Sequence, residues 1–368
     1  MIDTVLCVDI GTTSLKTAVV SANGEVVFIS NRHFSIFSDC FIALSWKEHL
    51  KSAINELNTA VDFSLYRICA VSISGNGPTV VLESGLTFKW NDDVSFLYEK
   101  FPLLIEEKSL FLPRILGMLF KYPQESSSTS WIFSGPEFLI YELTGCPVTV
   151  LPQKRFVSAY WDSCLLEKYN IDKNKMPPFT GIAQICGYLS PSAAEELGLP
   201  EGIPVTSGGP DFVAALIGTK TLQNGMICDR CGSSEGFNFA TKTFISHKDV
   251  RTLPSVIEDL WNVSVLIPDS AKLSEYERIV HAQNAVNLLK KLAEENGVIF
   301  PEKMTATGGQ AKNLALLKKK SDATGMQIAV CQCADGEVLG DACAGFVALK
   351  KYSSLVEAAN HLVKETIL

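Results

Sequence analysis

The stretch VLCVDIGTTSLKTAVV, residues 5–20, sets two short apolar runs around Asp-Ile-Gly-Thr-Thr-Ser. An acid, a glycine and three hydroxyls thus interrupt what would otherwise be a buried hairpin. A tight turn bent at glycine lines up successive backbone N–H groups, and such a concavity binds anions. The Thr and Ser hydroxyls add donors. Taken alone, the stretch also fits an ordinary hairpin, since Thr and Gly are common in turns. A second version lies near the middle of the chain, GMICDRCGSSEGFNFAT at residues 225–241. It repeats an apolar strand, a glycine with two hydroxyls, and another strand-like run. Two copies, one in each half, favour a polyphosphate clamped between two lobes. Asp9 then has a reason to sit at a strand end beside phosphate. A Mg²⁺ ion is held by one or two carboxylates together with phosphate oxygens and water.

The chain has 368 residues, a length that suits two lobes. The net charge is −8, and the tight basic runs are short, Lys318–Lys320 and Lys350–Lys351 among them. Nucleic acid is therefore not expected, because phosphate backbones are held mainly by clustered Lys and Arg. No apolar stretch is long enough to span a bilayer, and no basic n-region followed by an apolar h-region is visible. A cytoplasmic setting without membrane partners is the expectation. The eleven Cys residues are scattered through apolar segments and read as small core residues of a reducing compartment.

Strands are expected at Val5–Asp9, Lys16–Ser21 and Glu25–Ser30, the last two joined by the Asn23-Gly24 hairpin signal. Ser45-Trp46-Lys47-Glu48 fits a capping box, followed by apolar Trp46, Leu50, Ile54, Leu57 and Val61 at helical spacing. Arg67–Ser74 reads as a buried strand. The middle, residues 101–200, reads as mostly helical with loops. Gln124–Ser130 reads as a polar loop, and Gly135–Thr144 as a helix stopped by Gly145. A second lobe is expected to begin near Ile203, with a strand to Ser207 and a helix from Phe212. Ser274 and Glu277 form a second capping box, for a helix ending at Gly297. Lys303–Ala306 is a strand leading into Gly308-Gly309-Gln310, and Asp341–Leu349 is a small-residue helix.

VDIGTTSLKTAV, GGPDFVAALIG, CGSSEGFNF and ATGGQAKN stand in the order found in the FGGY carbohydrate kinases. The chain resembles that family, and within it the xylulokinase-type branch. LPRILGMLFKYP, GPEFLIYELTG and GLPEGIPVTSGGPD are similar to the family's first domain, and GEVLGDACAGFVAL to its nucleotide lobe. The resemblance implies an α/β chain with the two-lobed RNase H-like, actin-like ATPase fold. The lobes would be residues 1–205 and a shortened 206–368. It further implies ATP with Mg²⁺, a sugar or polyol substrate (most simply a xylulose-like ketose) and, as one option, a homodimer.

By resemblance, Asp9, Gly11, Thr12 and Thr13 are the first phosphate loop, with Asp9 near Mg²⁺ and Lys16 at a matching position. Gly232, Ser233 and Ser234 are the second loop. Gly308, Gly309, Gln310 and Asn313 lie where adenosine is held. Asp211 matches the catalytic aspartate. It also makes chemical sense, because a carboxylate must take the proton of the attacking hydroxyl. An Asp at a helix start serves equally as an N-cap. Asn76, Gly77, Trp90, Asn91 and Asp92 fall where the family binds sugar.

The chain departs from the family in three places. Residues 241–273 hold only a brief substitute for a longer insert. The His and Arg of the sugar-binding turns are missing. Glu235 sits in the second loop, where it would repel a triphosphate unless it faces a metal or Arg230. A kinase-derived nucleotide- or sugar-binding protein is therefore the rival reading. Metal binding at Cys228, Cys231, Cys331 and Cys333 is another, although CxxC and CxC in strands point alternate side chains to opposite faces. His33, His49, His247, His281 and His361 show no ligand spacing.

Overall fold

The computed structural model describes residues 1–34, 40–232 and 234–368. Two large mixed sheets organise it. The first has six strands in the order β10-β11-β4-β1-β2-β3. These are β1 (Ile2–Ile10), β2 (Ser14–Ser21), β3 (Val26–His33), β4 (Tyr66–Gly75), β10 (Ile185–Tyr188) and β11 (Pro204–Pro210). Small strands lie between them in sequence. β5 (Val80–Leu82), β6 (Thr87–Phe88) and β7 (Ile132–Ser134) form one sheet, and β8 (Thr149–Leu151) pairs with β9 (Phe179–Gly181).

The second large sheet has seven strands in the order β14-β15-β13-β12-β16-β17-β18. They are β12 (Ile227–Cys231), β13 (Glu235–Thr241), β14 (Arg251–Pro254), β15 (Trp261–Ile267), β16 (Lys303–Thr307), β17 (Gln327–Cys331) and β18 (Glu365–Ile367). In each sheet an antiparallel hairpin, β1–β2 or β12–β13, borders a parallel strand, β4 or β16. The two glycine–hydroxyl turns are thus the tips of equivalent hairpins. A boundary at 205/206 falls inside β11, which stays in the first sheet as far as Pro210.

The helices are α1 (Leu44–Ala60), α2 (Ser95–Lys100), α3 (Leu112–Lys121), α4 (Pro123–Ser128), α5 (Gly135–Thr144), α6 (Ser163–Lys168), α7 (Pro191–Leu197), α8 (Asp211–Gly218), α9 (Glu275–Glu295), α10 (Leu314–Thr324), α11 (Gly336–Ala348) and α12 (Leu355–Leu362). Two expectations are corrected. The box at Ser45 and Glu48 does not form, because α1 starts at Leu44 with Ala43 as its N-cap. Ser45 Oγ instead donates back to the Ile42 carbonyl at 2.7 Å. The Gln124–Ser130 segment is largely helical, as α4, because Pro123 starts a turn whose Ser126 is buried. The second box does form, with Ser274 and Glu277 satisfying each other's backbone N–H groups.

Two apolar cores result. The larger joins the first sheet to α8, α11 and α12, with Val338, Leu339 and Phe346 of α11 fully buried. The smaller lies under the second sheet, where Ala282, Val286 and Leu289 of α9 meet Phe237, Phe239 and Met304. Each fully buried Leu or Phe contributes about 1.5–3 kcal/mol. Helix α8 touches β4 and β11 on one side and β12 on the other, so it sits at the junction of the lobes. It packs tightly on α11 because Gly218 and Gly340 leave no room for a Cβ against the facing backbone. That close approach brings the start of α8 (Asp211) and the start of α11 (Glu337) into one cleft with the tip of β1.

Candidate active site

Asp9 lies near the end of β1, opposite Lys16 across the β1–β2 pair and beside Ser74 of β4. The turn closes with Gly11 N donating to the Ser14 carbonyl at 2.8 Å. Asp9 is buried, with Oδ2 3.3 Å from Lys16 Nζ, while Oδ1 has no hydrogen-bond partner. The same Lys16 ammonium is 3.2 Å from Asp335 and 3.6 Å from Glu337. Lys312 reaches the other oxygen of Asp335 at 3.0 Å. Burial pushes the Asp9 carboxyl up to about 7, with Lys16 opposing and Glu337 and Asp211 reinforcing the rise. Burial would lower the Lys16 ammonium, but Glu337, Asp9 and Asp335 outweigh it and hold it well above the ordinary lysine range.

Asp211 opens α8 directly after Gly208-Gly209-Pro210. Its side chain is 31% exposed, 3.6 Å from Arg230 Nη2. The surrounding protein raises its carboxyl above the usual range, with Arg230 opposing. One turn into α11, Asp341 is sealed from water and accepts from Ser74 Oγ at 2.8 Å. Burial pushes its carboxyl far up, with the Ser74 hydrogen bond opposing.

The second turn has Gly232 and Ser234 at its tip, while Ser233 lies outside the described residues. Glu235 faces neither the cleft nor Arg230. Its Oε1 accepts from Lys320 Nζ at 2.5 Å and its Oε2 from Ser270 Oγ at 2.6 Å. Lys320 also donates to Asp229 at 2.8 Å, and all three side chains are buried. One ammonium cannot neutralise two buried carboxylates, so burial and Asp229 push Glu235 up to about 7. The thiol of Cys231, with Asp229 and Glu235, is close enough to surround a cation. The Lys320 ammonium fills that position, 3.7 Å from Cys231 Sγ. Cys228 takes no part in that group.

The third turn packs on the second. Gln310 Nε2 donates to the Gly232 carbonyl at 2.9 Å. Gly308 needs to be glycine, since it has φ +94° and its Cβ position abuts the Cys231 carbonyl. Gly309 opens the short helical turn that follows. Asn313 accepts from Leu316 N at 3.1 Å and so caps α10.

Of the expected sugar-binding residues, Asn76 and Gly77 line a small recess with Phe111, Ser134, Glu137, Tyr160 and Pro210, next to Asp211. Asn76 spends its amide on the Ile10 carbonyl at 3.1 Å and its oxygen on Thr79 at 2.6 Å. Trp90 donates from Nε1 to Thr12 Oγ1 at 2.9 Å. Asp92 accepts from Lys89 N at 2.9 Å, and Asn91 is exposed on the same turn. Glu137 was not foreseen. It is buried in the recess wall with Oε1 on Val150 N at 2.9 Å and Oε2 unpartnered. An acid one residue after a helix-starting Gly-Pro was the available signal. Asp335, Glu337 and Lys312 were also missed, because they join Lys16 only in three dimensions.

Residues 155–218 match the FGGY N-terminal domain of carbohydrate kinases, and residues 281–349 match the C-terminal one. Both halves of the chain are thus similar to FGGY carbohydrate kinases. ATP as co-substrate and a small sugar as acceptor go with that family. The chain is 22% identical to a glycerol kinase of Mycoplasmoides gallisepticum over 62% of its own length and 52% of that protein's. It is 23% identical to one of Dichelobacter nodosus, over 83% of this chain and 70% of that protein. The match thus takes in about half of the first of these relatives.

The FGGY fold is equally plain. A xylulose kinase structure from Rhodospirillum rubrum superposes with TM-score 0.77, over 99% of this chain and 94% of that one, at 15% identity. Plasmodium falciparum glycerol kinase with ADP gives 0.79 over 100% and 94%, also at 15% identity. The expected two-lobed, actin-like ATPase fold is therefore the one found. Among the described residues no helix is long and apolar enough to cross a membrane.

Proposed function

We propose that the chain transfers the γ-phosphoryl group of ATP to a hydroxyl of a small ketose or polyol, with Asp211 as general base. The carrying observation is the meeting of three groups in one cleft: the Asp9–Lys16 hairpin tip, the second hairpin tip, and Asp211 at the start of α8. The recess at Asn76 adjoins Asp211 through Pro210, which offers an acceptor hydroxyl a place beside the carboxylate. Its oxygen attacks the γ-phosphorus in line, the bond to the β-phosphate oxygen breaks, and Asp211 takes the proton. The elevated basicity of Asp211 suits that role. Trp90, tied to Thr12, links the sugar side of the cleft to the first phosphate loop.

Mg²⁺ fits the same cleft. Asp9 Oδ1 is a buried carboxylate oxygen without a hydrogen-bond partner and Glu337 Oε2 has only Lys16, at 3.6 Å, and Mg²⁺ prefers such hard donors. When bound it would supply charge neutralisation to the transferring phosphates. Lys16 holds Asp9 and Glu337 in place. Xylulose-like ketoses are the preferred acceptors and glycerol-like polyols come next, following the two kinds of relative.

ADP release from Mg²⁺-ATP across a panel of ketoses and polyols tests the reading. Asp211→Asn is expected to lower acceptor-dependent release about 10²–10⁴-fold while ATP still binds. One observation favours a second reading, a nucleotide-binding protein with little turnover. The side-chain groups of Asn76 are already spent on its own turn. Folded, ATP-binding protein that releases no ADP with any acceptor would select that reading.

A further inference from the structure

Arg251 is the first residue of β14, in the short segment that replaces the family's longer insert. The ladder places it opposite Ser264, which faces Asn238, which faces Cys228. Arg230 lies two residues beyond Cys228, so both arginines rise from one face of the sheet. They stand on strands separated by β15 and β13. Ser264, Asn238 and Gly236 lie between them on that face, with Leu266 beside Gly236. The segment is fixed against the first lobe. Gln153 donates to the Ser255 carbonyl at 3.0 Å, and Arg155 to the Leu260 carbonyl at 2.6 Å.

Both guanidinium groups have a buried Nε without a hydrogen-bond partner. Among the described residues Arg251 has no ion pair at all, and Arg230 has only Asp211, at 3.6 Å. Burial, with the like charge of Arg230, lowers the Arg251 pKa, and Asp211 opposes. Arg251 therefore carries its charge without an ion-pair partner, in a partly dehydrated cleft near Arg230. An unpaired buried charge is costly, and a guanidinium fork matches a carboxylate or phosphoryl group.

We propose that Arg230 and Arg251 form an oxyanion clamp beside Asp211. Its ligand is either the phosphoryl group in transit from ATP or an acidic group carried by the acceptor. Which of the two it is rests on the kinase reading, whereas the clamp does not.

Inorganic phosphate titrated calorimetrically into wild type, Arg251→Gln, Arg251→Lys and Arg230→Gln tests the clamp directly. Weakening of about tenfold in the Gln variants, with a smaller loss in Arg251→Lys, is expected. Phosphate that binds all four proteins within twofold, or fails to bind wild type, overturns the proposal. The Lys variant and thermal melting guard against misfolding. Steady-state kinetics then separate the sources. A kcat loss with every acceptor assigns the transferring phosphoryl. A KM rise for gluconate alone, with neutral polyols unchanged, assigns an acidic acceptor. Phosphate binding lost in Arg251→Gln, from a protein without turnover, retains the clamp and removes the kinase reading.

Discussion

The two glycine–hydroxyl hairpins are each backed by a lysine among carboxylates, but the two sites differ in exposure. Lys16 faces Asp9, Asp335 and Glu337, is 18% exposed, and leaves Asp9 Oδ1 without a hydrogen-bond partner. Lys320 faces Asp229 and Glu235, is wholly buried, and also meets Cys231 and the ring of Phe237. The difference teaches how one repeated motif serves two purposes. Each site holds one more acid than cation, and each leaves a carboxylate oxygen, Asp9 Oδ1 or Asp229 Oδ1, without a hydrogen-bond partner. The first, however, opens on the cleft, where in the kinase reading a metal would meet Asp9. At the second the charges are sealed beneath the turn, so they hold its two strands together and offer nothing to a ligand.

Removing the sealed lysine should have the largest effect on stability. Lys320→Met leaves two carboxylates uncompensated inside the second lobe. Breaking a buried pair in this way costs about 3–5 kcal/mol. Urea unfolding should show that loss, and the second lobe should lose protection in hydrogen exchange before the first. A variant as stable as wild type would show that the two carboxyls can simply take up protons and stay buried.

Glu235→Gln sharpens the same point with a smaller effect. The carboxyl moves from an ordinary 4.5 to about 7 on folding. The folded state therefore holds the proton more tightly than the unfolded one. Stability from this group is complete below about pH 4.5, declines as pH rises to about 7, and is flat above. Wild type should lose about 2–3 kcal/mol across that window relative to Glu235→Gln, which keeps the hydrogen bonds and removes the titration. Parallel stability curves for the two proteins would place the surplus proton elsewhere.

These contrasts explain what the sequence could carry. The hairpins, the glycine that stops α5 and the capping box of α9 are local, so spacing and turn chemistry expose them. Helix α4 was hidden because a Ser-rich segment is read as a loop unless the burial of Ser126 is known. The Ser45 box failed because the same residue types stood one position inside the helix rather than at its edge. The candidate site divides in the same way. Asp9 and Lys16 are seven residues apart and visible together. Lys320 meets Glu235 from 85 residues away, and Trp90 meets Thr12 from 78. The partner of Glu235 is not legible in the sequence, because no linear pattern brings α10 beneath β13. Arg251 was passed over because its strand read as a remnant of a lost insert.

The smallest change in stability is expected from Lys16→Met, and it tests the comparison hardest. The substitution removes a cation from beside three acids, which might be thought worse than removing one from beside two. The Lys16 side chain keeps 18% of its surface exposed, however, and Lys312 still pairs with Asp335 at 3.0 Å. Asp9 can also take up a proton, since Lys16 is the chief group holding its pKa down. The cost in unfolding free energy should therefore stay at about 1 kcal/mol or less. The cost in function should be larger. With Asp9 and Glu337 no longer held, ATP-dependent turnover should fall about tenfold or more, chiefly through kcat. If Lys16→Met instead unfolds as readily as Lys320→Met while its remaining turnover is normal, both lysines are braces. The first hairpin would then lose its claim to be the working one.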